Sequence, residues 1–266
     1  MSKCLKLFFF INYLFTSKAF ADYFGRITFG SFISKEIFFK SEMDRFNDVA
    51  ILSGRVFLNV DKITSEKYEF NLDIRDKNNF FNKLNLDKTG LTGENKLQLN
   101  QFSFLKNNCE NCFVYGFGRY PVFEAGSINL DGVNFGYKFN FLSGNLNSNI
   151  FYGKNPDITS DTNITFNPNR TEYGIYLNYL KSGNEWGDYL NLTSSYVVLK
   201  YLNEKDRIYF YNNSNYQNLD GVSLFSLLYY DLYPIKKIQN FWSQLSQSFS
   251  NGNKVTFSLS SIDSLQ

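Results

Sequence analysis

The sequence predicts an all-β chain built from antiparallel hairpins, and three observations carry that expectation. First, Val133, Phe135, Tyr137, Phe139 and Phe141 alternate with Asn134, Gly136, Lys138 and Asn140. After Ser143-Gly144-Asn145 the alternation restarts, with Leu146, Ile150 and Tyr152 set against Asn145, Asn147 and Asn149. A period of two, a turn and a period of two again is a hairpin with one apolar and one polar face. Second, this unit recurs along most of the chain. Third, aromatic residues make up 19 % of the sequence, yet mean hydropathy is −0.31. That mixture suits strands with one dry and one wet face. An AT-rich genome raises the same residues, but a compositional bias alone does not make them alternate.

Taken in order, Tyr23 to Phe29 reads as a first strand. Gly30 to Asp48 reads as a loop with some strand at Glu36 to Lys40. From Ile51 to Asp61, Val56, Leu58 and Val60 alternate with Arg55, Phe57, Asn59 and Asp61. Tyr68, Phe70, Leu72 and Ile74 then oppose Glu69, Asn71, Asp73 and Arg75, three charges that ask for a wet face. A polar loop, Asp76 to Lys96, leads to a strand over Leu97 to Leu105 whose phase slips near Gln101, as at a bulge. Phe113, Tyr115 and Phe117 form the next, ending at Arg119, and Tyr120 to Gly126 is a short loop. Ser127 to Phe141, with a slip at Asp131-Gly132, and Leu146 to Gly153 follow. After the polar loop Lys154 to Arg170, Tyr173, Ile175, Leu177 and Tyr179 are opposed by Glu172, Gly174, Tyr176 and Asn178. Trp186 to Tyr201, Arg207 to Tyr216 and Val222 to Tyr230 are further strands. Phe241, Leu245 and Phe249 fit a helix as well as a strand, and Asn251-Gly252, a hairpin signal, favours the strand. Val255, Phe257 and Leu259 come last.

That makes about 12 strands, or 13 with the first. Their lengths of roughly 9 to 12 residues suit a tilted bilayer crossing better than the ordinary globular strand of about 5–6. Short links (Lys62–Glu66, Lys106–Asn111, Phe141–Asn145, Lys181–Glu185, Gln217–Asp220, Ser250–Asn253) alternate with longer ones. The longer set is Ser34–Val49, Asp76–Lys96, Tyr120–Gly126, Lys154–Arg170 and Asp231–Lys237, with Leu202–Asp206 the exception. Short turns on one rim and long loops on the other mark outer-membrane barrels. The expected fold is an antiparallel up-and-down transmembrane β-barrel of about 12 strands, or the N-terminal part of a larger one.

The chain opens with Lys3 and Lys6, an apolar run Leu7 to Phe15, and Ala19-Phe20-Ala21 before Asp22. This is the layout of a cleaved signal peptide over residues 1–21, leaving 22–266 as one exported domain. Cleavage removes Lys3, Lys6 and Lys18, so 27 basic residues become 24 against 25 acids, a charge of about −1. No basic excess invites nucleic acid. Cys109 and Cys112 remain as a pair destined for an oxidising compartment. A disulfide pinning the turn, free thiols and a redox centre all stay open for this CxxC. Phe113 stands where haem attachment needs a histidine, and two cysteines alone do not complete a zinc site.

In this pattern the chain resembles porin-like outer-membrane β-barrel proteins of Gram-negative bacteria. The stretch Gly116 to Phe139, GFGRYPVFEAGSINLDGVNFGYKF, looks like the Gly-Arg strand, loop and Asp-Gly-Val strand of several large barrels. Such barrels usually end on an aromatic residue, and this chain ends Asp263-Ser264-Leu265-Gln266. The resemblance implies an outer-membrane location, outer-membrane lipid around the barrel, small hydrophilic solutes inside it, no cofactor, and a homo-oligomer as an open question.

The chain has no histidine, which removes Ser-His-Asp and Cys-His chemistry and His-ligated metals; no enzyme is expected. The expected lumen residues are Arg55, Glu69, Asp73, Arg75, Arg119, Lys138 and Glu172. Tyr120, Tyr152, Trp186, Tyr201, Tyr230 and Trp242 are expected to form interface girdles. Asn163, Asn169, Asn191 and Asn212 begin chance glycosylation patterns in an Asn-rich chain. Three functions compete: a porin-like channel, a non-conducting structural or surface-binding barrel, and a soluble β-sandwich or β-helix that binds glycans.

Overall fold

A computed structural model describes residues 22–38, 45–61, 63, 68–79, 96–107, 109–156, 166–183 and 188–263. They form thirteen strands in one antiparallel sheet whose spatial order is the chain order. β1 (Asp22–Phe38) and β2 (Arg45–Asp61) are followed by β3 (Tyr68–Asn79), β4 (Lys96–Lys106) and β5 (Cys112–Val122). β6 (Ile128–Phe141), β7 (Gly144–Pro156), β8 (Phe166–Ser182) and β9 (Tyr189–Tyr201) continue the sheet. β10 (Glu204–Gln217), β11 (Val222–Tyr233), β12 (Lys237–Ser248) and β13 (Lys254–Ile262) complete it. β1 and β13 are its edges, and among the described residues no ladder joins them. Among the described residues the one helical turn, Phe123–Ala125, lies between β5 and β6, and no described helix is long and apolar enough to cross a membrane.

The alternation decides the faces. On one face Phe113, Phe117, Val133, Phe135, Ile150, Ile175 and Phe257 are about half exposed or more. On the other, Asn71, Asp73, Ser103, Asn147, Asn149, Glu172, Thr193 and Ser195 are buried. These are called the outer and inner faces below. One face exposes large apolar groups and the other buries many polar ones, unlike the usual soluble sheet. Outer-face rings run in chains across strands: Phe113 packs on Phe135 and Tyr137, and Phe139 and Phe141 lead on to Tyr179.

Four local expectations need correction. Residues 30–48 are not chiefly loop, because β1 and β2 pair in continuous register from Asp22↔Asp61 to Phe38↔Arg45. Asp131-Gly132 carries no slip: β6 keeps register there with β5 and β7. The β6–β7 turn is Leu142–Ser143, both at positive φ, while Gly144 already pairs with Phe141. Gly144 is small for another reason, since a Cβ there would meet the Leu180 carbonyl and the Tyr179 ring. Finally, only 234–236 separates β11 from β12, so Asp231–Lys237 is not a long loop, whereas the expected exception at Leu202–Asp206 is a two-residue turn, Leu202–Asn203. The expected bulge near Gln101 is present, as the β3–β4 register shifts beside Asp73. The segment around Phe241 and Leu245 is strand, within β12. Residues 1–21 and 80–95 and Trp186 lie outside the described residues.

Candidate functional site

The site is the inner face, and its centre is a hairpin that leaves the sheet. β5 and β6 stay paired to Val122↔Ile128. However, β5 is paired with β4 only as far as Arg119, and β6 with β7 only from Asp131 onward. Among the described residues, the hairpin tip between them, Tyr120 to Leu130, therefore has no neighbour strand on either side. Three glycines mark the line where it departs: Gly118 pairs with Gly132, and Gly132 with Gly153. Gly118 has φ +112°, a conformation that side chains oppose. A Cβ on Gly132 would meet the Tyr152 carbonyl and lie 2.6 Å from the Gly153 Cα. The row is a crease along which two backbones touch.

Beyond the crease the hairpin folds onto the inner face of β7 to β11. Tyr120, Val122, Ala125 and Leu130 join Phe151, Tyr176, Val197, Tyr209 and Tyr211 in one buried cluster. The Tyr209 hydroxyl donates to the Ala125 carbonyl at 2.8 Å, and the Tyr229 hydroxyl to the Gly126 carbonyl at 3.0 Å. A hairpin rooted between β4 and β7 thus touches β10 and β11, which requires the sheet to curl around it. At the hairpin tip, outside the strands, burial raises the Glu124 carboxyl above its usual range.

Register places Arg55, Glu69, Asp73, Arg75, Lys138 and Glu172 on the inner face. Arg55 donates to Asp73 through Nε and Nη2, both at 2.8 Å. Glu172 is buried and accepts from Asn155 at 2.7 Å. Arg119 sits elsewhere. It pairs across β5–β6 with Asp131 at 2.5 Å and donates to the Leu99 carbonyl at 2.7 Å. It fills the seam opened where β4 and β5 part, so it holds the hairpin root instead of facing the cavity. Tyr120 belongs to the hairpin core, and Tyr201 and Trp242 share the inner-face register, so these three leave the expected girdle. Tyr152 is exposed on the outer face, beside Tyr173.

Several inner-face residues escaped sequence reasoning. Arg207 donates to Asp231 at 2.7 Å, and Gln239 donates to the other oxygen of Asp231 at 2.7 Å. Arg26, from β1, joins Arg55 and Arg75 around a cavity of about 580 Å³. The tyrosines 176, 209, 211 and 229 carried a signal in their phase, since they fall on the polar face where Phe is scarce. Cys109 and Cys112 are bonded across the β4–β5 turn, with Cα atoms 6.1 Å apart. Among the described residues no cluster of three Cys, Asp or Glu could hold a metal ion. No known family model matches the chain, and no curated protein aligns with it significantly.

Proposed function

We propose that the chain is a porin-like outer-membrane β-barrel channel that admits small hydrophilic solutes by passive diffusion. The observation that carries this reading is the pair of unlike faces: large apolar side chains such as Phe113, Phe135, Ile150 and Ile175 are exposed on one, while Asn71, Asp73, Asn149, Glu172 and Ser195 are buried on the other. Lipid is the solvent in which such an outer face is stable, and a spanning sheet leaves no backbone group unpaired only as a closed ring. The inner face asks for water. Asn134 Oδ1, Asn149 Oδ1, Glu172 Oε2, Ser195 Oγ and Asn213 Oδ1 are buried there and find no protein partner among the described residues. Arginines on β1 to β3 and carboxylates at Glu124 and Glu172 set opposite charges in one lumen, a field that sorts solutes by charge.

The inturned hairpin favours a second reading. Its core packs against five strands and narrows the interior, as a plug would in a non-conducting barrel. Planar-bilayer recording separates the two. Step-like conductance supports the channel; its absence from protein whose gel mobility still shifts on boiling leaves the plugged barrel. Protein that stays in the soluble fraction overturns both. In a conducting channel, Asp73→Lys with Glu69→Lys shifts ion preference toward anions; an unchanged preference rejects the lumen assignment of these two residues.

A further inference from the structure

We propose that the inner-face cavity of β1 to β4 is an oxyanion site for phosphate-bearing solutes. Three arginines meet there from three neighbouring strands. Thr28 of β1 pairs with Arg55 of β2, Arg55 pairs with Arg75 of β3, and Arg26 stands two residues before Thr28 on the same face. These four residues, Ser53 and Asn100 supply the polar lining of a cavity of about 580 Å³, and the Phe24 and Phe57 rings supply apolar lining beside them. Such a volume accommodates a phosphate ester with a small organic part.

Charge is the reason to expect a ligand. Like charges directly opposite on paired strands repel, and Arg55 faces Arg75 across the β2–β3 ladder. Asp73 neutralises Arg55 and also accepts from Asn100 at 3.3 Å. Arg26 and Arg75 meet no carboxylate among the described residues. Among the described residues, three arginines against one aspartate leave two positive charges, the complement of a phosphate dianion. Guanidinium forks match phosphate oxygens in geometry as well as charge. Asp73 holds the Nε and Nη2 edge of Arg55, and the Phe57 ring lies 5.9 Å from its Cζ, which fixes the direction of the remaining edge. The site faces away from the exposed apolar side, so its ligand is a free solute and not a lipid headgroup; this last step rests on the membrane reading above.

Calorimetric titration of inorganic phosphate into the full chain in detergent micelles, at low salt, tests the site. The wild type shows saturable binding. Arg26→Gln with Arg75→Gln weakens it about tenfold or more, as losing two charge-assisted partners requires. Lys205→Gln, an exposed rim position, leaves it unchanged. If the double variant does not fold, Arg75→Gln alone must still weaken binding about threefold, which keeps the Arg55–Asp73 pair in place. No saturable binding by the wild type, or undiminished binding by the folded variants, overturns the site. Vesicles bearing phosphate headgroups, titrated in parallel, must not compete with free phosphate; competition overturns the assignment to a solute. Conductance is read separately, so a chain that conducts without binding phosphate loses only this site, and one that binds without conducting loses only the channel.

Discussion

The two walls of the inner face are built from the same alternation and end in opposite states. On β1 to β4, register gathers Arg26, Arg55 and Arg75 around an open cavity. On β7 to β11 it gathers Phe151, Tyr176, Tyr209, Tyr211 and Tyr229, and the chain's own hairpin covers them. The difference lies in what each wall is offered. Tyrosine gives a ring to bury and a hydroxyl to donate, so it can receive a folded-in backbone. The charge of an arginine is neutralised by an anion, and among the described residues this wall supplies one, Asp73. One wall is completed by folding and the other is left for a ligand.

Substitutions at the crease should break this contrast most. Gly132→Val drives side-chain atoms into the β7 backbone, and the folded gel band that shifts on boiling should vanish. Gly30→Ala on the opposite wall meets only the Ser53 hydroxyl, at 3.3 Å, and should change the unfolding free energy read in urea by less than about 1 kcal/mol. Equal behaviour of the two would remove the crease. Next in size is Leu130→Ala, which empties a fully buried position of the hairpin core. Stability should fall by about 3 kcal/mol, and single-channel conductance should rise as the hairpin loosens.

Tyr209→Phe with Tyr229→Phe keeps both rings and deletes both hydroxyl bonds to the hairpin. The expected loss is about 1 kcal/mol per bond, read by equilibrium unfolding. A result near zero would mean that ring packing alone holds the hairpin. The smallest change in stability is expected for Arg55→Gln. Its side chain is 52 % exposed, so the pair with Asp73 contributes about 1 kcal/mol or less. Anion preference measured by reversal potential should nevertheless fall, which separates a charge that serves solutes from one that serves folding.

Much of this was legible in the sequence. The faces of β3, β5, β6, β7 and β8 follow from a period of two, because burial of alternate side chains is a local property. Asn251-Gly252 correctly favoured a strand for the segment around Phe241. The β1–β2 hairpin was only partly visible, since Ser34, Lys35 and Glu36 interrupt the alternation and cross-strand register alone carries the ladder through them. Arg119 is expected in the lumen with Arg55, Arg75 and Lys138. Nothing local reveals that β4 stops pairing there and exposes the Leu99 carbonyl. The crease was unreadable for the same reason: Gly118, Gly132 and Gly153 become neighbours only once three strands are in register. Arg26 lay in a recognised strand, but its partnership with Arg75 depends on two successive ladders.

Thirteen is an odd number of strands, and in an up-and-down sheet parity fixes direction. The chain enters β1 at one rim and leaves β13 at the other, with both strands running the same way. In the proposed membrane barrel, reporter groups placed beside Asp22 and beside Asp263 lie on opposite sides of the membrane, and an impermeant reagent should reach only one. A seam joining the two edges directly would be parallel, with slanted bonds slightly weaker per residue than those elsewhere in the sheet. Under heat or pulling force, such a ring would open first at that seam.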